Sequence, residues 1–307
     1  MGRRQSQEKD ETMRTKLWKR AGAALAALTM ATSLAACGSD DGGAKADDTI
    51  TMAVIPGWTD STSMAALWTA ILDDKGYNVQ TKEIGDAPLT YTSLNRGDVD
   101  IYPSAWPEVT HKKLVAKYPK LEDLGAYYQG AVLTIAVPDY SKLHSLEDLK
   151  GKGGDYDGKI VGIEPGSGLV GMAKDSMLPA YGLEGEYKIV TSSTATMLAE
   201  LQRAISKKQD IIVTLWRPFW ANAKFPVRDL ADPKGAMGSP EGLHEVARPG
   251  FAEDHPDVAA MMAKAKMTDD QYGTLEDMVV NEYGKGKEVE AARAWLAKNP
   301  DWLKTIE

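Results

Sequence analysis

The stretch that decides the fold is Thr49-Ile50-Thr51-Met52-Ala53-Val54-Ile55-Pro56-Gly57-Trp58, in which an alternating, β-rich run stops at a proline and a glycine. This pattern is typical of a strand that ends in a loop. Residues 63–75 follow with apolar side chains at helical spacing, and Gly76 marks the end of the predicted helix. Three further segments predict a strand, a short helix and a strand: 77–84, 89–95 and 99–103. The order β-α-β-α-β indicates an α/β domain with a largely parallel sheet.

A second α/β unit follows, and the chain then becomes helical. The strands predicted in this unit are 131–137, 159–163, 187–190 and 211–216. Its main predicted helices are 168–177 and 194–206. After Pro233 the apolar spacing predicts four helices: 256–266, 268–283, 288–297 and 300–306. A pair of α/β lobes with a cleft between them is a common architecture for capturing small ligands.

Composition and charge exclude several classes of protein. The chain has 307 residues and a formal net charge of −8, which disfavours a nucleic-acid binder that must neutralise phosphates. One cysteine excludes a disulfide framework or a cysteine-rich metal site. The four histidines lie far apart in sequence and make no metal-ligand spacing, so we expect no metal and no cofactor.

Residues 1–36 are predicted to be a signal peptide. A basic region precedes a small, apolar run at 21–34, which is shorter than the roughly 20 residues that span a bilayer. Leu34-Ala35-Ala36-Cys37 resembles the bacterial lipoprotein cleavage box. The resemblance implies cleavage before Cys37, lipid on its sulfur, and a protein that meets the cell membrane only through this anchor, on the extracytoplasmic face. A plain signal peptide is the alternative, and residues 37–48 predict a flexible tether in either case.

Three tryptophans occupy equivalent places at the ends of predicted strands. Trp58 and Trp106 each follow a strand, and Trp216 ends one. In open α/β sheets, the loops at the carboxyl ends of strands face the ligand crevice. Indole faces attract cations, so these residues predict a cage around a positive charge. Ordinary structural packing is the alternative interpretation.

The segment Gly166-Ser-Gly168-Leu-Val-Gly171 matches a dinucleotide-binding motif in its spacing. An exported chain has no access to a cytoplasmic dinucleotide pool, which disfavours that function. Two interpretations stay open: backbone N–H groups that receive an anionic group, or a plain strand-to-helix turn. Ser167 does not sit in a nucleophile elbow because Pro165 replaces the first glycine of that motif, so a hydrolase is disfavoured. We expect no enzyme.

Several segments in order along the chain resemble the substrate-binding proteins of ABC transporters for glycine betaine, choline and related quaternary ammonium compounds. The matching segments are Gly57-Trp58-Thr59-Asp60, Leu94 to Ile101 with Trp106-Pro107, Ala136 to Tyr140, Gly162 to Gly168, Ser192 to Leu198, Leu215 to Trp220, and Leu230 to Lys234. Each segment alone is weak evidence, but their order across the mature chain is specific.

The resemblance implies an α/β fold of the two-lobe periplasmic-binding-protein type (type II), which closes like a clamshell about a hinge. Carried onto this chain, lobe one would be 49–137, lobe two 138–228, and 229–307 would return to lobe one with the C-terminal helices. The family works with an ABC permease and an ATPase. We expect the chain to be a monomer.

The resemblance also implies the site. It predicts the ligand-binding residues Trp58, Asp60, Trp106, Tyr140, Gly166, Ser167, Trp216 and Arg217. The rings would form the cage, with Tyr140 the weakest match, and lobe two could supply Tyr181 in its place or no ring at all. Asp60 would attract the cation or accept from a hydroxyl. Phe219 stands where many relatives have histidine, which leaves the carboxylate partner open between Arg217 and the backbone at Gly166 to Gly168. Choline, carnitine and another betaine stay open as ligands, as does an amino acid held by Arg217 and Asp60.

Overall fold

The computed structural model describes residues 49–307. The predicted signal peptide, the predicted lipidation site Cys37 and the predicted tether at 37–48 lie outside the described residues. Within residues 49–307, no helix has the length and apolar character needed to cross a bilayer.

Nine strands form the mixed sheet at the centre of the protein, in the order β2-β1-β3-β9-β4-β7-β5-β6, with β8 paired to β4. Their bounds are β1 (Thr49–Val54), β2 (Asn78–Glu83), β3 (Ile101–Ala105), β4 (Glu122–Pro138), β5 (Lys159–Gly162), β6 (Lys188–Thr191), β7 (Val213–Arg217), β8 (Val227–Asp229) and β9 (Glu241–Ala247).

The long strand β4 divides this sheet into two half-sheets. Its first part, residues 122–131, pairs antiparallel with β9, which pairs with β3 beside the parallel strands β1 and β2. Its second part, residues 132–138, pairs antiparallel with β7 and β8, and β5 joins β7 and β6 in parallel. We call these groups the first and the second half-sheet. The lobe boundaries given above stay predictions.

Helices connect and cover both half-sheets. Their bounds are α1 (Thr59–Asp74), α2 (Ala87–Arg96), α3 (Lys112–Lys117), α4 (Gly168–Met172), α5 (Leu178–Tyr181), α6 (Thr194–Lys207), α7 (Ala221–Lys224), α8 (Phe251–Asp254), α9 (Pro256–Lys264), α10 (Asp269–Asp277), α11 (Glu288–Lys298) and α12 (Pro300–Ile306). Two π-helical segments, Ala173–Met177 and Met278–Tyr283, continue α4 into α5 and extend α10. Short 3-10 helices span Leu146–Leu149 and Gly153–Tyr156.

Local sequence explains where several of these helices begin and end. Asp86 accepts a hydrogen bond from the backbone N–H of Leu89 at 2.8 Å, and Ser193 accepts one from Thr196 at 3.2 Å. Such caps satisfy backbone donors that the first turn of a helix leaves free. Gly97 ends α2 with a φ of 74°, a left-handed conformation that favours glycine.

The structure differs from the sequence-based expectation in one strand that matters for the site. Strand β9 lies between Pro233 and the helix predicted from 256, where sequence reasoning assigned no element, and it joins β3 to β4. The first half-sheet is therefore mixed and not largely parallel. Two of its buried side chains are Glu241 and Glu245. Their charges hide the apolar alternation by which a strand is recognised in sequence.

The core is built around large aromatic side chains on helices. Trp68 on α1 and Trp295 on α11 are fully buried, as the apolar spacing of the two helices predicts. Each indole N–H is satisfied, by Glu245 at 2.9 Å and by Thr274 at 3.0 Å. A buried indole loses a water partner on folding, so these bonds keep the burial favourable.

Candidate functional site

The ends of strands from both half-sheets line one cavity. The first half-sheet and its loops supply what we call the first wall: Trp58, Asp60, Trp106, Thr110 and His111. The second half-sheet and its loops supply the second wall: Leu133, Ile163, Ser167, Gly168, Leu169 and Trp216. The cavity therefore lies between the two half-sheets, at the loops where ligand sites of α/β folds are found.

The three strand-end tryptophans line this cavity together. Trp58 follows β1 and caps the start of α1, Trp106 follows β3, and Trp216 lies in β7. Their exposed fractions are 6%, 4% and 4%. Three indole rings that are almost completely buried around one space form a surface suited to an apolar cation.

Asp60 is the carboxylate of the cavity. It lies in the first turn of α1, is 2% exposed, and its Oδ2 accepts hydrogen bonds from Ser104 and from the indole N–H of Trp106 at 3.3 Å. Its Oδ1 is buried and has no partner among the described residues. Burial raises the pKa of Asp60, although the bonds from Ser104 and Trp106 act in the opposite direction.

A hydrogen bond joins the two sides of the cavity through Trp58. The indole N–H of Trp58 donates to Glu164 Oε2 at 3.0 Å. Glu164 follows β5 in the second half-sheet and also accepts from the backbone N–H and the hydroxyl of Thr194, at 2.8 Å and 2.9 Å. Glu164 therefore fixes the orientation of one cage ring from the opposite half-sheet.

His111 is a site residue that sequence reasoning missed. It is buried, lines the cavity, and lies parallel to the Trp58 ring at 10°, with 6.4 Å between ring centroids. Burial lowers its pKa to about 3, so the imidazole is neutral at physiological pH. A signal was present, because His111 is in the same strand-end loop as Trp106.

The missed strand β9 holds this loop in place. Glu241 at its start accepts hydrogen bonds from the backbone N–H groups of Val109 and Thr110, at 2.9 Å and 3.0 Å, and from the Thr110 hydroxyl. Two backbone donors and one hydroxyl on one carboxylate fix the loop that carries both Trp106 and His111. Sequence reasoning assigned no part of the site to this region.

The second wall combines an aromatic stack, a helix cap and a close backbone approach. Trp216 stacks on Phe219 at a centroid distance of 3.9 Å and an interplanar angle of 20°, and its indole N–H has no partner among the described residues. Ser167 caps α4 by accepting from the backbone N–H of Val170 at 3.2 Å. A Cβ added to Gly168 would lie 2.7 Å from the carbonyl oxygen of Thr110, so this glycine permits the close approach of the two walls.

The structure brings together five of the eight predicted ligand-binding residues: Trp58, Asp60, Trp106, Ser167 and Trp216. The other three do not line the cavity. The hydroxyl of Tyr140 donates to the carbonyl of Gln209 at 2.7 Å, and the side chain is 40% exposed. Arg217 pairs with Asp229 at 2.5 Å, and Gly166 packs against Asp86.

A family model matches nearly the whole of the described chain. Residues 48–298 match the model of the substrate binding domain of ABC-type glycine betaine transport systems. The chain belongs to this family. Its members are substrate-binding components of transporters, which gives the cavity its context.

Individual relatives of the family agree in sequence and in structure. A glycine betaine/carnitine transport binding protein of Listeria monocytogenes, GbuC, is 35% identical over 156 residues, which are 48% of this chain and 50% of the Listeria protein. The match thus spans half the length of that relative. The glycine betaine/L-proline-binding protein ProX of Borrelia burgdorferi is 31% identical, with a TM-score of 0.77 over 84% of this chain and 96% of ProX.

Two ligand complexes of the family have the same fold. The lactococcal OpuAC in its closed conformation with glycine betaine has a TM-score of 0.76 at 27% identity, over 85% of this chain and 99% of OpuAC. A choline-binding protein in complex with choline has a TM-score of 0.74 at 27% identity, over 84% and 92% of the two chains. These similarities confirm the predicted two-lobe binding-protein fold of the α/β class.

Proposed function

We propose that the protein captures a quaternary ammonium compound, glycine betaine or choline, in the cavity between its two half-sheets. The observation that carries this proposal is the convergence of three indole rings and one buried carboxylate on a single cavity. Relatives of the chain support it, because they include a glycine betaine/carnitine transport binding protein and solved complexes with glycine betaine and with choline.

The chemistry of the ligand explains why these residues suit it. A quaternary ammonium group has no N–H, so hydrogen bonds do not recognise it, and its charge is spread over methyl groups that leave water easily. An aromatic face supplies apolar contact together with a negative quadrupole, worth about 0.5–2 kcal/mol for each contact. Asp60 adds a negative charge beside the Trp106 ring at a place from which water is excluded.

The cellular role follows from the family and from the predicted N-terminal region. We infer that the protein delivers its ligand to an ABC permease driven by an ATPase, and that it carries out no chemical reaction.

Lipid on Cys37 would hold it as a monomer at the extracytoplasmic face of the cell membrane, with residues 37–48 as the tether. Metabolic labelling with a radioactive fatty acid tests the anchor, and a Cys37→Ser variant that keeps the label would contradict it.

Calorimetric titration of the purified protein tests the binding function. Glycine betaine, choline, carnitine and proline betaine are the ligands, and glycine is the matched control because it is glycine betaine without the three methyl groups. We expect a Kd below 1 mM for at least one methylated ligand, on the order of the affinity that a few aromatic contacts provide. We expect no measurable heat with glycine. Binding weaker than millimolar for all four would reject the proposal.

An amino acid is the second candidate ligand, and the structure gives it less support. A receptor for a free α-amino acid ordinarily presents a forked Arg to the carboxylate. Arg217 is the arginine predicted for that part, but it pairs with Asp229 and does not line the cavity. Stronger binding of glycine than of glycine betaine would reverse this preference.

A further inference from the structure

The segment 106–111, which we call the Trp106 loop, is joined to β9 by a carboxylate of its own, Glu108. Oε2 of Glu108 accepts a hydrogen bond from the backbone N–H of Gly242 at 2.9 Å. Oε1 of the same carboxylate lies 3.0 Å from Nε2 of His244. One side chain of the loop therefore contacts two residues of β9, and one of these is a titratable ring.

The contacts of the His244 ring require a positive charge. Its Nε2 faces Glu108, and its Nδ1 lies 2.8 Å from Oδ1 of Asp123 on β4. A carboxylate oxygen accepts hydrogen bonds and has no proton to donate, so each ring nitrogen must carry a proton, which makes the ring an imidazolium cation. The His244 side chain is 12% exposed, so solvent screens these ion pairs less than pairs on an open surface.

Acidic groups predominate around this ring. Charged side chains come from the elements packed against it: Glu241 and Glu245 from β9, Asp123 from β4, Glu108 from the Trp106 loop, and Lys266 from the segment after α9. Lys266 donates to the carbonyl of Ala126, the residue of β4 that pairs with His244. Burial acts to lower the pKa of His244, but the hydrogen bonds and charges of Asp123 and Glu108 outweigh it and raise the pKa above the ordinary 6.5.

We propose that His244 is a positioning residue of the cavity, because as an imidazolium it joins Asp123 on β4 to Glu108 and so holds the Trp106 loop in place. This inference rests on the proposed function and adds to it a weaker binding in alkaline solution. A neutral ring has one nitrogen without a hydrogen, so one of the two carboxylates loses its donor and both lose the opposite charge. The contribution of His244 is therefore complete below the ordinary pKa of 6.5 and is lost as the pH rises through the raised pKa.

Nuclear magnetic resonance of the protein with ¹⁵N in its histidines and tryptophans tests the charge and the positioning without any ligand. We expect both ring nitrogens of His244 to be protonated at pH 7, and the ring to lose its proton well above the ordinary 6.5. The indole N–H resonance of Trp106 should shift with the same midpoint, and His244→Gln should remove that shift. A neutral His244 ring at pH 7, or a Trp106 resonance that does not follow its titration, would overturn the inference.

Titration calorimetry with glycine betaine across the pH range tests the effect on binding. Its ammonium group has no N–H and its carboxylate stays ionised above about pH 5, so a change of Kd with pH comes from the protein. Other buried acids titrate in the wild type and in His244→Gln alike, so the ratio of the two Kd values reports on His244. We expect His244→Gln to bind about threefold to fivefold more weakly at about pH 6, and as tightly as the wild type at about pH 9.5.

Two further variants separate positioning from a general loss of stability. His144→Gln replaces an exposed histidine and should keep the wild-type profile. Asp123→Asn removes a charge that raises the pKa of His244, but it keeps an oxygen for the backbone N–H of Gly125 and leaves Glu108 in place. We expect the midpoint of the His244 titration, and that of the Kd profile, to move down towards 6.5. An unchanged midpoint, or a Kd ratio for His244→Gln that is the same at every pH, rejects the role.

These outcomes are distinguishable from a failure of the proposed function. If the wild-type protein does not bind glycine betaine, the proposed function fails, and the resonance of Trp106 still decides whether His244 positions the loop. If His244→Gln does not fold, the titration of the wild-type ring and its shift in Asp123→Asn decide the same question.

Discussion

The two walls of the cavity are built by different means. On the first wall, Trp106 donates to Asp60, its backbone N–H is accepted by His111, and Glu241 holds the loop that carries both Trp106 and His111. On the second wall, Trp216 is held by its stack on Phe219, and its indole N–H has no partner among the described residues. Side-chain hydrogen bonds position the Trp106 ring of the first wall, whereas aromatic stacking positions the Trp216 ring of the second wall.

This difference indicates that the two walls make different contributions to ligand binding. Buried hydrogen bonds fix direction and charge, because each bond is geometrically specific and costly to break. A stacked ring supplies area and polarisable surface with fewer directional demands. We therefore expect the first wall to place the charge of the ligand and the second wall to cover it when the lobes close. The predictions that follow test this division, beginning with the largest expected effect on binding.

Removing a ring from each wall gives the largest effects. Trp106→Ala should weaken binding about 100-fold, because it removes an aromatic face and also a donor to Asp60, whereas Trp216→Ala should cost about tenfold, since it removes a face alone. Titration calorimetry measures both. Tyr140→Ala, an aromatic change outside the cavity, is the control and should leave the Kd unchanged. Equal losses for the two tryptophans would contradict the division, and losses below tenfold for both would remove them from the cage.

Removing the charge of Asp60 from the first wall gives the next largest effect on binding. Asp60→Asn should weaken choline about tenfold at pH 7, because it removes the negative charge facing the cation, and should affect zwitterionic glycine betaine less. Burial raises the pKa of Asp60 above its ordinary 3.8, so the wild-type carboxylate gains a proton earlier as the pH falls. Choline affinity of the wild type should therefore fall as the pH is lowered towards that raised pKa. A wild-type profile as flat as that of Asp60→Asn would show that Asp60 does not face the cation.

Disrupting the hydrogen bond from Trp58 to Glu164, which joins the two sides of the cavity, gives a smaller effect on binding. The carboxylate of Glu164 accepts hydrogen bonds from Trp58 and from Thr194. Glu164→Gln replaces one of its oxygens with an amide N–H₂, which cannot accept from the donor that faces it. We expect about a threefold to fivefold weaker Kd, mainly through faster dissociation measured by stopped-flow tryptophan fluorescence. Glu184→Gln, at an exposed position in the turn between α5 and β6, is the matched control. An unchanged dissociation rate would mean that this bond plays no part in keeping the ligand enclosed.

Glu245, a buried acid in β9, should affect the stability of the fold and leave the ligand affinity unchanged. Burial raises the pKa of Glu245 from the ordinary 4.5 to about 8, so the folded protein holds this proton more tightly than the unfolded chain. Its contribution to stability is therefore present in acid and is lost as the pH rises between those two values. Glu245→Gln should raise the Tm by a few degrees at pH 8 and by much less at pH 5.

Two controls accompany that stability measurement. Glu184→Gln should leave the Tm unchanged at both pH values, because the side chain is exposed. The Kd for glycine betaine should be the same in Glu245→Gln as in the wild type, since Glu245 does not line the cavity. An equal Tm difference at pH 5 and pH 8 would contradict the raised pKa.

Sequence reasoning succeeded where the signal was local. Patterns a few residues long predict the strand that begins at Thr49, the helices with polar caps and glycine ends, and the core positions of Trp68 and Trp295. It failed for β9, whose buried glutamates imitate a surface segment. It also overlooked His111, because a single imidazole in a loop has no periodic pattern that distinguishes a ligand contact from a solvated side chain.

The amino-acid order alone established that three indoles stand at strand ends in a two-lobe α/β chain, because alternation, helical spacing and turn residues are properties of neighbouring positions. It did not establish the parallel placement of His111 and Trp58, the bond from Trp58 to Glu164, or the close approach of Gly168 to Thr110. The bond between Trp58 and Glu164 joins residues 106 positions apart. Contacts over such separations depend on how the half-sheets pack, and that packing brings the rings and the carboxylate into one cavity.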